Sequence, residues 1–397
     1  MSIPTGPDNR PRPIISPFAF DPDEHRARVA RARRAMAAHG IALLVTDDRN
    51  VFYFSGAGGA TPREDKARPQ FVLISEAGEV VALVSHARCI PFRESSWIAE
   101  VRTYDGLEPG LVRDALARLV AEAVPRARTI GMELGYEQRL GMPVADYDAL
   151  RERFPERRFV DAAHLLWSLR MVKSPAELAR IERAVGITDE AYQTVLPTVH
   201  PGLTEREIVT RLQGAMARLG ASTSWCIVQS GTYDRGGYVP RDRLVEAGEM
   251  VWVDMGANVL GYFADFSRAV VLGTPSARLR DMQQKVHEVT QLGLEAVRPG
   301  VPIEEVAGLC DREMEKRGLV FNTWGARYGH GLGLQTTEPP HVAGYDRTVV
   351  ATGMALTLEP GMCTAEGRFQ IEQNFVVTER GVRCFSQTPW ELFSVPL

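Results

Sequence analysis

Residues 250–272 read MVWVDMGANVLGYFADFSRAVVL, two apolar runs around a turn-rich centre, which is the pattern of an antiparallel hairpin. Met250 to Gly256 and Tyr262 to Val271 form the expected strands, with Asn258–Gly261 as the tight turn. That register sets Asp254 directly opposite Asp265, with Cβ atoms about 4.5–5.5 Å apart. Residues 355–378, ALTLEPGMCTAEGRFQIEQNFVVT, repeat the arrangement. There the turn Thr364–Gly367 sets Glu359 opposite Glu372. Like charges that face each other destabilise a sheet, and four carboxylates inside apolar strands do not all stay ionised without cations.

Hard divalent ions are the natural compensation, and an oxygen-rich set with one imidazole suits manganese, iron, cobalt or zinc. Two ions about 3.5–4 Å apart would use four carboxylates between them. The imidazole comes from Gly329-His330-Gly331-Leu332-Gly333, where glycines let the backbone approach closely. The candidate metal ligands are therefore Asp254, Asp265, His330, Glu359 and Glu372.

Around these hairpins, Ser174-Pro175-Ala176-Glu177 and Thr204 to Glu207 each read as a capping box opening a helix. Further helices are expected at about Ala277 to Val297 and Pro302 to Arg317. Helices alternating with antiparallel hairpins give an α+β class for the part after about residue 168. Before it, a tail of residues 1–18 is expected to be irregular, and a helix from the Asp21 cap to Gly40 follows. Strands are expected at Ile41–Thr46, Val51–Phe54, Phe71–Ser75, Val80–Ser85 and Thr129–Glu133, with a helix near Gly110–Ala123. Residues 1–168 thus read as an α/β domain and residues 169–397 as a second domain.

The chain of 397 residues has 46 basic and 50 acidic side chains, a net charge of -4 that offers no field for a polyanion, so no nucleic-acid partner is expected. Five scattered cysteines without CxxC spacing encode neither a disulfide framework nor a thiolate zinc site. The polar, proline-rich start and the lack of a long apolar run lead us to expect a cytoplasmic protein without a membrane partner.

The ordered set Asp254, Asp265, His330 in GHGLG, Glu359 in LEPGM and Glu372 in QIEQNFVVTERG resembles the metal ligands of the pita-bread metallopeptidases, the family of prolidase, aminopeptidase P, methionine aminopeptidase and creatinase. KSPAEL at Lys173 to Leu178 also resembles the start of that family's catalytic domain. The resemblance implies a pita-bread catalytic domain behind a smaller α/β domain of the creatinase and prolidase branch, a homodimer, and a dinuclear site with Asp265 and Glu372 as bridges. It implies hydrolysis of a small amide or short peptide of the Xaa-Pro type by a metal-activated water, manganese being the first expectation.

Four positions depart from the family pattern: Gly237 and Thr337 stand where substrate-side histidines are usual, Gln370 where an arginine is usual, and Gln373 where an aspartate is usual. His341 and Tyr238 are the candidates to stand in as catalytic residues, with Arg235 and Tyr345 beside them. The departures keep open a metal-dependent lyase of the dimethylsulfoniopropionate type or a carbon–nitrogen hydrolase of a small zwitterion, whose cation Trp225, Tyr233, Tyr238, Tyr262 and Trp324 would cradle. A noncatalytic binding module on the same fold is the third reading.

Overall fold

The computed structural model describes residues 20–57, 68–105, 110–231, 239–320 and 327–397. The expected tail at residues 1–18 lies outside them, as do Tyr233, Arg235, Tyr238 and Trp324. The chain divides after Leu169 into two compact units. From the N-terminus the elements are α1 (Pro22–His39), β1 (Ala42–Val45), α2 (Asp48–Ser55), β2 (Phe71–Ile74), β3 (Val80–Ser85), α3 (Cys89–Ser95), β4 (Glu100–Tyr104), α4 (Leu111–Ala123), β5 (Thr129–Met132), α5 (Val144–Arg153), β6 (Arg158–Asp161) and α6 (Ala163–Met171). The strands form one mixed sheet in the order β4-β3-β2-β1-β5-β6.

The strand expected at Val51–Phe54 is instead part of α2. Val, Phe and Tyr favour strands, but Asp47 caps the segment by accepting the Arg49 N–H, and Gly56 ends it in the left-handed conformation. Residues Asn50 to Ser55 are all buried, so no polar face reveals the helical period. The buried Glu133 carboxylate also accepts the Thr46 and Asp47 N–H groups and the Asn50 amide, holding the start of the helix from 83 or more residues away in sequence.

The second unit opens with α7 (Pro175–Val195) and α8 (Glu205–Arg218). Both start on the expected capping boxes, Ser174 with Glu177 and Thr204 with Glu207. Then come β7 (Thr223–Ser230), β8 (Met250–Val259), β9 (Tyr262–Phe263), β10 (Phe266–Leu272), α9 (Ala277–Ala296), α10 (Ile303–Lys316), β11 (His330–Gly331), β12 (Glu338–His341), β13 (Ala355–Leu358), β14 (Gly361–Thr364), β15 (Gly367–Gln370), β16 (Gln373–Thr378), β17 (Gly381–Cys384) and β18 (Phe393–Val395). One sheet runs β18-β10-β8-β7 with β9 on β8, and a second runs β12-β11-β13-β16-β17. An apolar core including Trp252, Val286, Val306, Leu356 and Phe375 packs α9 and α10 onto them. Among the described residues no helix is long and apolar enough to cross a membrane.

The two hairpins differ in how closely they follow the expected register. In the second, Thr364 pairs with Gly367 and Leu358 with Gln373, so Glu359 and Glu372 occupy opposed positions as expected. In the first, Val259 pairs with Tyr262 and Asp254 pairs with Ser267, so Asp254 does not face Asp265. The turn is the two-residue loop Leu260-Gly261, whose φ angles of 50° and 97° are those of a primed hairpin turn. Asn258, read as a turn residue, remains next to the turn and accepts the Gly261 N–H through its side chain. A two-residue shift keeps every side chain on its face, so Asp254 and Asp265 become diagonal neighbours on one surface.

Leu260 holds a left-handed conformation that costs a residue with a Cβ roughly 1–2 kcal/mol. Leu260→Asn, giving the Asn-Gly pair that such turns favour, is expected to raise stability by about 0.5–1 kcal/mol. Chemical denaturation of the metal-free protein measures this, and a loss of stability would contradict the turn geometry.

Candidate metal centre

Asp254 leaves the middle of β8, Asp265 the gap between β9 and β10, Glu359 and Glu372 the gaps on either side of the β14–β15 hairpin, and His330 the start of β11. What brings them together is a junction between the two sheets. The backbone of Glu372 bridges to Ser267, the residue that pairs with Asp254 on the other side. The Asn374 side-chain amide accepts the Asp265 N–H at 2.9 Å and donates back to the Asp265 carbonyl. Asn374 thereby replaces a missing stretch of strand pairing and fixes the Asp265 backbone.

His330 Nε2 stands 3.4 Å from Asp265 Oδ2, 3.5 Å from Glu359 Oε1 and 3.8 Å from Glu372 Oε1. Asp265, His330 and Glu372 are buried and each offers one donor atom within 4.8 Å of the others. Asp254 lies close enough for the Asp265 charge to raise its proton affinity, which puts it beside the same cluster. His330 Nδ1 lies 2.9 Å from the Gly331 carbonyl. With the proton on Nδ1 donated there, the Nε2 lone pair is left facing the acids, which is how a ligating histidine is held.

The acids pay for this crowding in proton affinity. Burial, and then the neighbouring carboxylates, hold Asp254 and Glu372 well above the usual carboxylate range. Burial lifts Asp265 to about 7 against the pull of its hydrogen bonds and of Arg327, and lifts Glu359 to about 7 as well. Asp254 Oδ1 and Glu372 Oε1 are buried without a hydrogen-bond partner. Buried carboxylate oxygens with nothing to accept from, beside an imidazole lone pair, fit divalent cations, and this donor set suits a transition metal.

Several residues around the acids carry no functional signature in the sequence pattern. Arg327 Nε lies 3.9 Å from Glu359 Oε1, while its other nitrogens reach His341 Nδ1 and Thr337 Oγ1, each at 3.3 Å. Its position three residues before His330 is the one signal that could have marked it. Gln370, a departure from the family pattern, donates to Glu359 Oε2 at 2.8 Å, and Arg368 Nε donates to Gln370 Oε1 at 2.9 Å. His341 is buried and pairs with His330 across β11 and β12. Of the aromatic residues considered for a cation cradle, Tyr262 is buried with its hydroxyl on Glu177, and Trp225 shares the sheet face of Asp254. Tyr345 is exposed, with its ring 6.3 Å from that of His341.

In the unfolded chain these carboxyls ionise near pH 4, whereas the folded, metal-free site keeps protons on Asp265 and Glu359 up to about 7. Between those limits the folded state binds more protons, so rising pH favours unfolding through these groups. Metal binding requires the ionised forms and reverses that trend. The gap in melting temperature between metal-loaded and chelated protein is therefore expected to widen by several degrees from pH 5 to pH 8. A gap that is constant or narrows would show that these acids do not take up the metal.

Residues 179–379 match metallopeptidase family M24, and residues 28–172 match the creatinase/prolidase N-terminal domain. A Bacillus subtilis relative named as the uncharacterized peptidase YqhT is 29% identical over 371 residues, covering 92% of this chain and 99% of that protein. An Xaa-Pro dipeptidase of Pyrococcus furiosus is 28% identical over 279 residues, covering 69% of this chain and 78% of its own. Among solved structures, an Xaa-Pro dipeptidase from Bacillus anthracis superposes with a TM-score of 0.81 at 26% identity, covering 93% of this chain and 99% of that one. The dipeptidase PepE from Mycobacterium ulcerans does so with a TM-score of 0.81 at 27% identity, covering 96% and 100%. With half of its length matched by the catalytic-domain description and most of the remainder by the companion N-terminal domain, the chain belongs to metallopeptidase family M24.

Proposed function

We propose that this protein is a dinuclear metal-dependent dipeptidase that hydrolyses short peptides of the Xaa-Pro type. The observation that carries this reading is the convergence of His330 Nε2 on Asp265, Glu359 and Glu372, with Asp254 tied to the same cluster. The Xaa-Pro dipeptidases among its relatives supply the substrate class. Two divalent ions, with manganese preferred over cobalt, zinc and iron, would supply Lewis acidity and lower the pKa of a water molecule. Asp254, Asp265, His330, Glu359 and Glu372 would hold them, Asp265 and Glu372 being the shared ligands that the family resemblance implies. The reading places the ligands in the second of two domains, residues 169–397, in a homodimeric cytoplasmic enzyme.

On the substrate side, Arg327 stands 3.9 Å from Glu359, and it suits the carboxylate of a dipeptide. His341 and Thr337 hold its guanidinium, which makes His341 a positioning residue in this reading, acting through Arg327. Tyr238 remains a candidate on sequence grounds alone.

Protein reconstituted with manganese is expected to release proline from Ala-Pro and similar dipeptides; two bound ions with no turnover across a dipeptide panel would sink the proposal. Asp254→Asn and Glu359→Gln are each expected to lower kcat by at least about 10³-fold, a loss typical of removing a unit of the catalytic machinery, and to reduce bound metal below that of the parent. Unchanged circular dichroism would show that the fold survives. Arg327→Met should raise KM for a dipeptide while leaving metal content intact, and an unaltered KM would show that Arg327 does not hold the substrate carboxylate.

A further inference from the structure

Trp225 lies on β7, the edge strand of its sheet, where it pairs with Gly256 of β8. Its neighbour two residues on, Ile227, pairs with Asp254. Cross-strand partners share a face and so do alternate residues of a strand, so Trp225 stands on the surface that presents Asp254. The register of the first hairpin, with Ala264 N–H bonded to the Ala257 carbonyl, puts Asp265 opposite Gly256. Trp225, Gly256 and Asp265 therefore form one row across the sheet.

Gly256 has a physical reason to lack a side chain. A Cβ there would lie 2.7 Å from Trp225 Nε1 and 1.8 Å from the Ala264 carbonyl oxygen. The indole nitrogen is thus laid against the backbone between the two aspartate positions. It is buried and has no hydrogen-bond partner, although the residue as a whole is only half-buried. Three other indoles among the described residues are satisfied: Trp252 Nε1 donates to Ser267 Oγ at 2.7 Å, Trp97 to the Phe54 carbonyl at 2.7 Å and Trp167 to the Tyr136 carbonyl at 2.9 Å. Leaving one such donor unmade costs about 1–3 kcal/mol, a cost that an oxygen of a bound ligand would relieve.

Resting on the dipeptidase reading above, we infer that the Trp225 indole N–H is a catalytic donor to the carbonyl oxygen of the substrate's scissile amide. A neutral single donor suits a neutral amide oxygen, while Arg327 at the Glu359 side suits a carboxylate. The bond strengthens as negative charge develops on that oxygen, so it serves the reaction more than it serves binding. It also supplies a donor that the sequence does not provide as imidazole at Gly237 or Thr337.

Trp225→Phe keeps an aromatic, though smaller, ring and removes the N–H. In the metal-loaded protein it is expected to retain both ions and lower kcat for Ala-Pro by about 10²-fold, with KM changed far less. Two inhibitors separate the oxygen from the rest of the ligand: a phosphinate analogue of Ala-Pro, which offers a charged oxygen in place of the carbonyl, and a reduced-amide analogue, which offers none. With tryptophan-15N protein, the indole resonance missing from Trp225→Phe should move downfield with the phosphinate and stay in place with the reduced amide. The variant should bind the phosphinate about 10²-fold more weakly and the reduced amide as the parent does. Turnover within threefold of the parent, or an indole signal that moves on metal addition and no further with the phosphinate, would overturn the assignment. A parent that cleaves no dipeptide and binds no phosphinate would remove the dipeptidase reading, and this inference with it, so the two failures are told apart by the parent alone.

Discussion

The structure of the second unit turns on a polar junction between two sheets. Asn374 grips both backbone groups of Asp265 with one amide, and Glu372 bridges to Ser267, which already pairs with Asp254. These contacts are short-ranged and directional, and they force carboxylates from two separate hairpins into one volume. Apolar packing would not do so, because it rewards area and is indifferent to which residues meet. The repulsion among the acids is therefore imposed by hydrogen bonds elsewhere, and a bound cation converts it from a cost into binding energy.

The departures from the family pattern look different once the neighbours are known. Gln370 stands where an arginine is usual, yet Arg368 reaches it and its amide passes a hydrogen bond on to Glu359. Arg368 carries a positive charge two residues away on the same strand, its guanidinium 4.1 Å from the centre of the Trp252 ring. Gln373, in place of an aspartate, accepts from Arg268, which also donates to the Glu372 carbonyl. Arg268 is buried, and burial lowers its pKa to about 10. Its hydrogen bonds go to carbonyl oxygens and an amide, so its charge still acts on the acid cluster through Glu372.

How far the sequence can be read follows from which forces are local. Capping boxes at Ser174 and Thr204 are legible because their partners lie three residues apart, and the α+β character follows from them. The Glu359 and Glu372 opposition is legible because the Thr364–Gly367 turn obeys ordinary turn chemistry. The Asp254 register differs by two from its expected value because Leu260 adopts a positive φ that a Cβ disfavours, which no pattern in the chain announces. α2 reads as a strand because Glu133 stabilises its start from across the domain. The ligand set survives the register error because a two-residue shift preserves the face, whereas a shift of one would turn Asp265 away. Asn374 and Arg368 are invisible as site residues in the sequence, and Arg327 is marked only by its place three residues before His330, since their contacts join segments distant along the chain.

The cluster is also asymmetric, and the asymmetry bears on the direction of approach. Asp265, Glu372 and His330 are buried, while Asp254 and Glu359 keep some exposure. The two partly buried acids belong to different hairpins, and each has a distinct donor beside it: Arg327 near Glu359, and Trp225 on the sheet face of Asp254. A ligand reaching the acids from solvent would meet a cation at one hairpin and a neutral N–H at the other. A molecule carrying both a carboxylate and an amide oxygen satisfies both, whereas a zwitterion of an onium cation and a carboxylate satisfies only Arg327. The polarity of the surroundings thus favours a small peptide over an onium compound, on grounds independent of the metal ligands themselves.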